Sequence, residues 1–382
     1  MDTYSSELRA LRRAGLYRER HLYPAHLHDF ASNDYLGLST HALLLEHAFE
    51  KVRSLTTHAP KASMLLNGYH PLHRELEEFL CARFGYEACL LVGSGFLGNV
   101  ALIDALVRKN DILFMDAHYH ASGQFLAKKL PNAHFFSHNN TLDLVQQLKN
   151  QRAQHPKGRI FIAIEGVYSM DGQVAPKEFY TIAQEYDAYL ILDEAHSLGV
   201  LGRDLGGYLS YYHLKLTPRI IVLGTLSKAY GSYGAFIGAS PQVVEFLCNR
   251  AKSVIYTTSL SLLDSALALV HLEHLYAHLS NYVSILEKMR VCCAQILGFS
   301  TPSNILTLPF ERVQSLLNMH TSLLEAGFLC APIRPPTVQK PLLRISLNVQ
   351  PSHTLETLGA LCTLLARQSF TCLRNGQILE NS

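Results

Sequence analysis

Residues 219–234 read RIIVLGTLSKAYGSYG, an apolar run followed by one lysine among glycines and small hydroxyl residues. A lysine that follows such a run can be interpreted in two ways. Lys228 could point into solvent from a surface loop, as lysines normally do. Alternatively, it is a partly buried amine with a lowered pKa that condenses with an aldehyde. The stretch alone leaves both interpretations open.

Five similar apolar runs lie earlier in the chain, at 88–92, 112–115, 134–137, 159–164 and 188–192. Segments with helical spacing separate several of them. Short buried strands that alternate with helices are typical of an α/β fold, in which a mostly parallel sheet is flanked by helices. Ligands of such sheets bind outside the carboxyl ends of the strands. The residues directly after each run are therefore the candidate site residues.

The run 88–92 is followed by GSGFLG at 93–98, a G-x-G-x-x-G pattern at the start of a predicted helix. Asp116 ends the next strand, at the spacing of a dinucleotide-binding fingerprint. The same residues fit two further interpretations. Glycines are common in any tight strand-to-helix turn, and a helix N-terminus also binds the phosphate of a different cofactor.

The run 188–192 is followed by acids and a histidine in LDEAH, residues 192–196. The string DEAH also occurs in helicase-type ATPases, but those require a G-x-x-x-x-G-K-[ST] loop, which this sequence lacks. One acid could simply cap the following turn. A second acid followed by His196 favours a ligand site.

The composition excludes several classes of protein. The 382 residues carry a formal net charge of +2, and 48% are hydrophobic against 17% charged. We therefore expect neither a disordered chain nor a nucleic-acid-binding protein. The eight cysteines form no C-x-x-C pattern, which is typical of reduced thiols in a cytoplasmic protein. The apolar window 254–272 contains too many polar residues for a membrane span, so we expect no membrane association.

The chain divides into three predicted parts. Residues 1–60 form an N-terminal arm, and residues 61–250 form the large α/β domain. Residues 251–382 form a connecting helix and a small C-terminal α+β domain, with strands at 305–308 and 342–347.

The separate sites are compatible with one cofactor, pyridoxal 5′-phosphate (PLP). A PLP enzyme needs a lysine for the imine and a carboxylate that keeps the pyridine nitrogen protonated. It also needs a group that stacks on the ring and a phosphate cradle. Lys228, Asp193, His120 and the turn at Gly95 are candidates for these four functions. We expect no metal cofactor.

The sequence resembles the α-oxoamine synthase family, whose members are PLP-dependent enzymes of fold type I that join an amino acid to an acyl thioester. Seven segments carry the resemblance: SNDYLGLS (32–39), GSGFLGN (93–99), DAHYHAS (116–122), EGVYSMDGQVAP (165–176), LDEAHSLGVLG (192–202), GTLSKAYGSYG (224–234) and YTTSL (256–260). Together they are far more specific than any one of them.

The resemblance implies a catalytic role for four residues. Lys228 matches the imine lysine, and Asp193 matches the acid at the pyridine nitrogen. His196 matches the histidine beside the 3-oxygen of the ring, and His120 matches the residue that stacks on the ring.

The resemblance also implies a wider binding set. The cofactor-binding residues are Gly95, Phe96, His120, Ser169, Asp193, His196, Thr225, Lys228 and Thr258. Thr258 matches a phosphate ligand that comes from the partner subunit, which implies a homodimer. The substrate-binding residues are Arg18, Asn33 and Arg344, with Arg344 on the amino-acid carboxylate. Arg20 is an alternative to Arg18.

Within the family, SNDYLGLS and YSMDG resemble the branch that condenses L-alanine with a pimeloyl thioester in biotin biosynthesis. The chain departs from the family at 61–67, KASMLLN, where a Gly/Ser-rich run is usual. The acyl chain, and whether coenzyme A or acyl carrier protein carries it, therefore stay open. Two alternatives remain: a relative that uses glycine with acetyl-CoA or succinyl-CoA, and a nicotinamide-dependent dehydrogenase built on the Gly93 fingerprint.

Overall fold

The computed structural model describes residues 3–155 and 157–367, together with 373–374 and 377–378. The α-helices of this part are α1 (Thr3–Arg13), α2 (Ala42–Arg53), α3 (Pro71–Phe84), α4 (Gly95–Leu106), α5 (Ala121–Ala127), α6 (Thr141–Gln154), α7 (Glu178–Glu185), α8 (Gly207–Tyr211), α9 (Pro241–Arg250), α10 (Lys252–Ile255), α11 (Leu262–Ala277), α12 (Leu279–Leu297), α13 (Val313–Glu325) and α14 (Leu355–Ala366). The strands are β1 (His28–Asp29), β2 (Ala88–Val92), β3 (Ile112–Asp116), β4 (Ala133–Phe136), β5 (Ile160–Glu165), β6 (Tyr189–Asp193), β7 (Ile220–Thr225), β8 (Ala235–Ala239), β9 (Ile305–Pro309), β10 (Phe328–Leu329), β11 (Ala331–Ile333), β12 (Leu342–Ser346), β13 (Leu373–Arg374) and β14 (Gln377–Ile378).

Seven strands form the main sheet, in the order β2-β8-β7-β6-β5-β3-β4. All neighbouring pairs are parallel except those of β8, which runs antiparallel to β2 and β7. The six apolar runs of the sequence form β2 to β7 within one or two residues. The expected mostly parallel sheet flanked by helices is therefore confirmed, and β8 is the strand that the sequence patterns missed.

Alternating side chains of each strand supply two separate cores, one on each face of the sheet. In β3, Ile112 and Phe114 belong to one core, whereas Leu113 and Met115 belong to the other. The first core contains buried residues of α2, α3, α6, α7 and α11, and the second contains residues of α4, α5, α9 and α10. Burial on both faces explains why these strands are nearly continuous apolar runs.

The C-terminal part has its own antiparallel sheet, in the order β11-β12-β9, and its own core with residues of α12, α13 and α14. The N-terminal segment joins this part, because β1 pairs in parallel with β10. Phe30 continues the contact: its N–H donates to Leu329 O at 2.8 Å, and its carbonyl accepts from Ser346 N at 2.7 Å. The predicted domain boundaries, at residues 60/61 and 250/251, stay predictions.

Four strands of the main sheet end in polar residues at the same edge. β3 ends at Asp116, β5 at Glu165, β6 at Asp193 and β7 at Thr225. Glu165 and Asp193 are direct neighbours in the register of β5 and β6. In the described part of the chain, no helix has both the length and the apolar character needed to cross a bilayer.

Gly37 lies where the N-terminal segment meets the C-terminal part, and it provides a test of that contact. Its φ is +66°, and an added Cβ would lie 2.0 Å from the carbonyl oxygen of Val349. Gly37→Ala should therefore lose about 1–2 kcal/mol for the left-handed backbone and about 1–3 kcal/mol more for the overlap. The measurement is the free energy of unfolding in urea.

Gly85→Ala is the matched control. Gly85 also has a positive φ, +77°, but an added Cβ would meet nothing within 4 Å. Equal losses in the two variants would contradict a tight contact between Gly37 and Val349.

Candidate active site

Lys228 lies in a tight loop directly after β7. Three backbone hydrogen bonds close this loop: Leu226 N–H to Gly234 O, Gly231 N–H to Lys228 O, and Ser232 N–H to Leu226 O. Gly231 has a φ of +59°, and a Cβ there would lie 2.7 Å from Ser39 N. The glycines therefore allow the loop to fold close to the N-terminal segment and hold the lysine at the sheet edge.

The Lys228 amine lies 2.8 Å from His196 Nε2. Burial lowers the pKa of Lys228 to about 8, although the charges of Asp193 and Glu165 raise it, and Arg344 lowers it further. Burial, with the charges of Lys228 and Arg344, holds the pKa of His196 well below its usual value. The site therefore contains a neutral imidazole beside an amine that exchanges its proton near neutral pH.

The Asp193 carboxylate is only 4% exposed. Its Oδ2 accepts from Asn99 Nδ2 at 2.8 Å, and its Oδ1 accepts from Ala195 N at 3.0 Å. Asn99 is itself fixed, because its Oδ1 accepts from Tyr119 OH at 2.7 Å. These bonds hold the carboxylate in one orientation at the carboxyl end of β6.

His120 lies at the start of α5, on the same side as Asp193. Its Nδ1 is 2.7 Å from Ser122 Oγ, and Ser122 Oγ accepts from Asn99 Nδ2 at 3.0 Å. His120 is exposed. Burial and the charge of Lys228 lower its pKa, and the charge of Asp193 opposes that effect. An exposed ring that is held from one nitrogen can stack on a flat ligand.

A cradle for an anion lies where α4 begins. Ser94 caps the helix by accepting from Leu97 N at 3.2 Å, and the helix starts at Gly95. A Cβ on Gly95 would lie 2.8 Å from Thr225 Cγ2, so only glycine allows this approach. The N–H groups of the first turn and the Thr225 hydroxyl are suited to a phosphate. Phe96 follows with its ring half exposed.

A second network runs from His196 to the C-terminal part. His196 Nδ1 is 2.7 Å from Tyr35 OH, and Arg344 Nη2 donates to that hydroxyl at 2.9 Å. Arg344 also donates to Asn33 Oδ1 at 2.9 Å and, through Nε, to Ser169 O at 2.8 Å. The guanidinium is buried, with 4% of Arg344 exposed. Three distant segments of the chain therefore meet at Arg344.

Two of the predicted site residues lie outside these networks. Arg18 is exposed and donates to Thr337 Oγ1 at 3.2 Å, in a recess of about 140 Å³ beside the proline-rich turn. The alternative residue, Arg20, is also exposed. Thr258 is exposed and lines a shallow recess together with Gly93.

The sequence patterns did not single out three residues of the site, Tyr35, Asn99 and Glu165. All three belong to quoted motifs: Tyr35 to SNDYLGLS, Asn99 to GSGFLGN and Glu165 to EGVYSMDGQVAP. Asn99 lies four residues after Gly95, so the helical period places it over the start of α4. This spacing could have identified Asn99 as a site residue. The contacts of Tyr35, in contrast, depend on the tertiary fold that brings residue 35 close to residue 196.

The described residues fit PLP. Four groups lie together at one edge of the sheet. They are an amine with a lowered pKa, a buried carboxylate, an exposed imidazole, and a helix N-terminus that a Cβ would obstruct. These are the four groups that the cofactor requires. Lys228 would hold its aldehyde carbon, Asp193 its ring nitrogen, and the Gly95–Thr225 cradle its phosphate.

Comparison with known proteins identifies the class. Residues 25–364 match the sequence model of the aminotransferase class I and II family, and the chain belongs to that family. The family resemblance, the fold type and the PLP cofactor expected from the sequence are thereby confirmed.

The chain is 56% identical over 369 residues to 8-amino-7-oxononanoate synthase of Helicobacter pylori, covering 96% of this chain and 97% of that protein. Two solved structures share the fold. A serine palmitoyltransferase from S. paucimobilis with bound PLP–myriocin has a TM-score of 0.84 at 23% identity, covering 96% of each chain. An 8-amino-7-oxononanoate synthase from Francisella tularensis has a TM-score of 0.71 at 23% identity, covering 89% of this chain and 97% of that one.

The dehydrogenase alternative is wrong. It required Asp116 to bind a ribose hydroxyl, but Asp116 is fully buried and its oxygens accept from His118 N and Asn139 N and contact His138. The glycines at 93–98 instead belong to a strand-to-helix turn of the PLP-dependent family.

The amine of Lys228 provides a test of the site before substrate is added. An amine with a pKa of about 8 is half neutral at pH 8, whereas an ordinary lysine is about 0.4% neutral. In cofactor-free protein, formaldehyde with cyanoborohydride at pH 8 should methylate Lys228 faster than exposed Lys177. Peptide mass spectrometry across pH 6–11 measures both rates.

Asp193→Asn should move the Lys228 profile to lower pH, because the Asp193 charge raises the pKa of the amine. Identical pH profiles for Lys228 and Lys177 would show that the amine is not perturbed.

Proposed function

We propose that this chain condenses L-alanine with a pimeloyl thioester, giving 8-amino-7-oxononanoate, CO2 and the free thiol of the carrier. The observation that carries the proposal is the 56% identity to a named 8-amino-7-oxononanoate synthase over nearly the whole of both chains. The placement of Lys228, Asp193 and His196 at one edge of the sheet supports it, because each has a partner suited to its part in this reaction.

When bound, PLP supplies an aldehyde that takes up amines and a protonated ring that withdraws electrons from the bonds at the amino acid Cα. Asp193 would hold the proton on the ring nitrogen. Hydrogen bonds from Asn99 and Ala195 keep the Asp193 carboxylate in one orientation. Lys228 removes the proton from the Cα of alanine and later returns one to the product. A pKa of about 8 suits both directions near neutral pH.

The charge that develops on the thioester carbonyl oxygen needs a hydrogen-bond donor. His120 and His196 are the candidates, because both lie close enough to Lys228 for its charge to lower their pKa values. His196 is 5% exposed, which keeps water from its hydrogen bonds. A donor in such an environment stabilises an oxyanion more strongly than it would in water.

Arg344 is proposed to bind the carboxylate of alanine. Its guanidinium is buried and already contacts Asn33, Tyr35, Ser169 and Ser346. These contacts fix the plane of the guanidinium but use four of its five N–H groups, so a carboxylate bound to both terminal nitrogens would take the place of Asn33 or Tyr35 at Nη2. The orientation matters because the bond from Cα to the carboxylate is the one that breaks when CO2 leaves.

The acyl thioester has a candidate entry beside the N-terminal arm. Arg18 and Arg334 both line the recess of about 140 Å³ formed with the turn at Pro332–Thr337. Their positive charges suit the free carboxylate of a pimeloyl chain or the phosphates of its carrier. Both coenzyme A and acyl carrier protein present phosphate on a long flexible arm, so either carrier fits this surface.

A homodimer with the cofactor near the interface is part of the proposal. Thr258 lies on the surface and lines a recess with Met64 and Gly93, and three large apolar side chains lie within three residues of these positions along the chain. Their exposed fractions are high: 81% for Leu66 and Tyr256, and 50% for Phe96. An exposed apolar area of this kind is typical of a protein–protein interface. In a homodimer, the second copy would place its own Thr258 near the cofactor site of the first.

We also propose that the protein works in the cytoplasm. All seven cysteines within the described residues are free thiols. Free thiols among buried residues are typical of a reducing compartment.

The function is tested with purified protein. It should be yellow, and borohydride should link the cofactor covalently to the peptide that contains Lys228. L-Alanine with pimeloyl-CoA or pimeloyl-acyl carrier protein should release CO2 and thiol in equal amounts, measured by gas analysis and a thiol reagent. Glycine with acetyl-CoA or succinyl-CoA is the control pair. Faster turnover of the control pair would reassign the substrates.

Arg344→Lys keeps the charge but loses the planar fork. The loss of a charge-assisted hydrogen bond, about 1.5–3 kcal/mol, implies a decrease of roughly tenfold to more than a hundredfold in kcat/KM for L-alanine. The absorbance of the bound cofactor should not change, because Arg344 is not proposed to contact it. Unchanged alanine kinetics in Arg344→Ala would contradict the carboxylate role.

A further inference from the structure

His138 lies between two carboxylates outside the catalytic groups described above. It follows β4, and its Nδ1 is 2.9 Å from Asp116 Oδ1 while its Nε2 is 3.3 Å from Asp171 Oδ2. Asp116 is fully buried, and the side chains of His138 and Asp171 are 15% and 24% exposed. Both ring nitrogens of His138 therefore face an acid, which requires a proton on each nitrogen.

The surroundings of His138 favour the charged ring. Burial works against the charge, but the hydrogen bonds with Asp116 and Asp171 outweigh it and raise the pKa of His138 to about 9. Against the effect of burial, the contact with His138 holds the pKa of Asp116 below its usual range, and contacts with His118 and His138 do the same for the pKa of Asp171. The other titratable groups that face the ring are His118, stacked at 4.1 Å, and Tyr168, edge-on at 4.4 Å.

Each carboxylate lies beside or within a loop that leads to a site residue. Asp116 accepts from His118 N at 2.7 Å and Asn139 N at 2.8 Å, and it ends the strand that leads to His120. Asp171 accepts from Gln173 N at 3.0 Å and lies two residues after Ser169. The contacts of His138 therefore join the loop before α5 to the loop after β5.

The loop after β5 supplies one of the contacts that orient Arg344. The Ser169 carbonyl accepts from Arg344 Nε at 2.8 Å, and the Gly172 carbonyl accepts from Ser303 Oγ at 2.9 Å. We propose that His138, as an imidazolium held by Asp116 and Asp171, is a positioning residue that fixes this loop and thereby the guanidinium of Arg344. The proposal rests on the proposed function, in which Arg344 binds the carboxylate of alanine.

The same side chains are not arranged for a metal ion. His118, His138 and Asp171 lie close enough to share one, with His118 Nδ1 3.9 Å from Asp171 Oδ2. The two imidazole rings are stacked at an interplanar angle of 16°, however, so their nitrogen lone pairs run nearly parallel and do not converge. An ion would also have to displace the proton that joins His138 to Asp171.

The test compares His138→Gln with His118→Gln in the PLP-loaded enzyme. His138→Gln removes the charge between the two acids and should raise the KM for L-alanine about tenfold, the effect of about one lost hydrogen bond, with kcat changed much less. His118→Gln removes a neighbouring ring and its 3.9 Å contact with Asp171 but leaves both carboxylate contacts of His138, so its KM for L-alanine should change much less than that of His138→Gln.

The pH dependence separates positioning from a merely structural role. Since the pKa of His138 is raised above its ordinary value, the contacts are present at low pH and are lost as pH rises through about 9. The KM for alanine should therefore rise more steeply near pH 9 in wild type than in His138→Gln, which keeps only the titrations of Lys228 and of the alanine amine. Asp171→Asn removes one acid, lowers the pKa of His138 and should move the rise to lower pH.

Proton NMR of selectively labelled histidine follows the His138 ring directly and does not depend on turnover. A charged ring at pH 7.5 supports the proposal even if the substrates prove to be different. A neutral ring at that pH, or an unchanged alanine KM in His138→Gln, overturns it. Stoichiometric Zn²⁺ that raises the Tm of wild type but not of His118→Gln would also overturn it, in favour of a metal site.

Discussion

The amine of Lys228 lies in a partly buried site, and the surrounding structure compensates the cost of this burial. Placing an ammonium group away from water is costly unless other groups share its charge and its protons. Asp193 and Glu165 approach from the ends of β6 and β5, and His196 Nε2 lies within hydrogen-bond distance of the amine, at 2.8 Å. Because all three come from neighbouring elements at one edge of the sheet, a shift in strand register would separate them.

Arg344 joins three separate parts of the chain through its hydrogen bonds. It lies on β12 of the C-terminal sheet, and its hydrogen bonds reach Asn33 and Tyr35 in the N-terminal segment and Ser169 after β5. Tyr35 then contacts His196, so the guanidinium is two hydrogen bonds from the partner of Lys228. The substrate carboxylate proposed for Arg344 would therefore be placed by all three segments together.

The fold could be predicted largely because its strands are buried on both faces. Their continuous apolar runs identify β2 to β7 within one or two residues. β8 was missed because AFIGA is short and follows a glycine-rich loop, so nothing in its pattern distinguishes a strand from the rest of that loop. The pairing of β1 with β10 was also missed, since two residues carry no period and their partner lies 300 residues away. The roles of individual site residues came from motifs, whereas their connections through Tyr35 and Asn99 depend on tertiary contacts that no local pattern encodes.

Glu165 shows why the site contains two neighbouring acids but needs only one charge. Burial, together with the charge of Asp193, raises the pKa of Glu165 well above its usual value, which favours the protonated form of this carboxyl group. Its Oε1 has no hydrogen-bond partner among the described residues, and a charge on such an oxygen is costly. A charge on Glu165 raises the pKa of Lys228, as the charge of Asp193 does. Protonation of Glu165 therefore leaves Asp193 as the charge that a ring nitrogen can use and favours the neutral, basic form of Lys228.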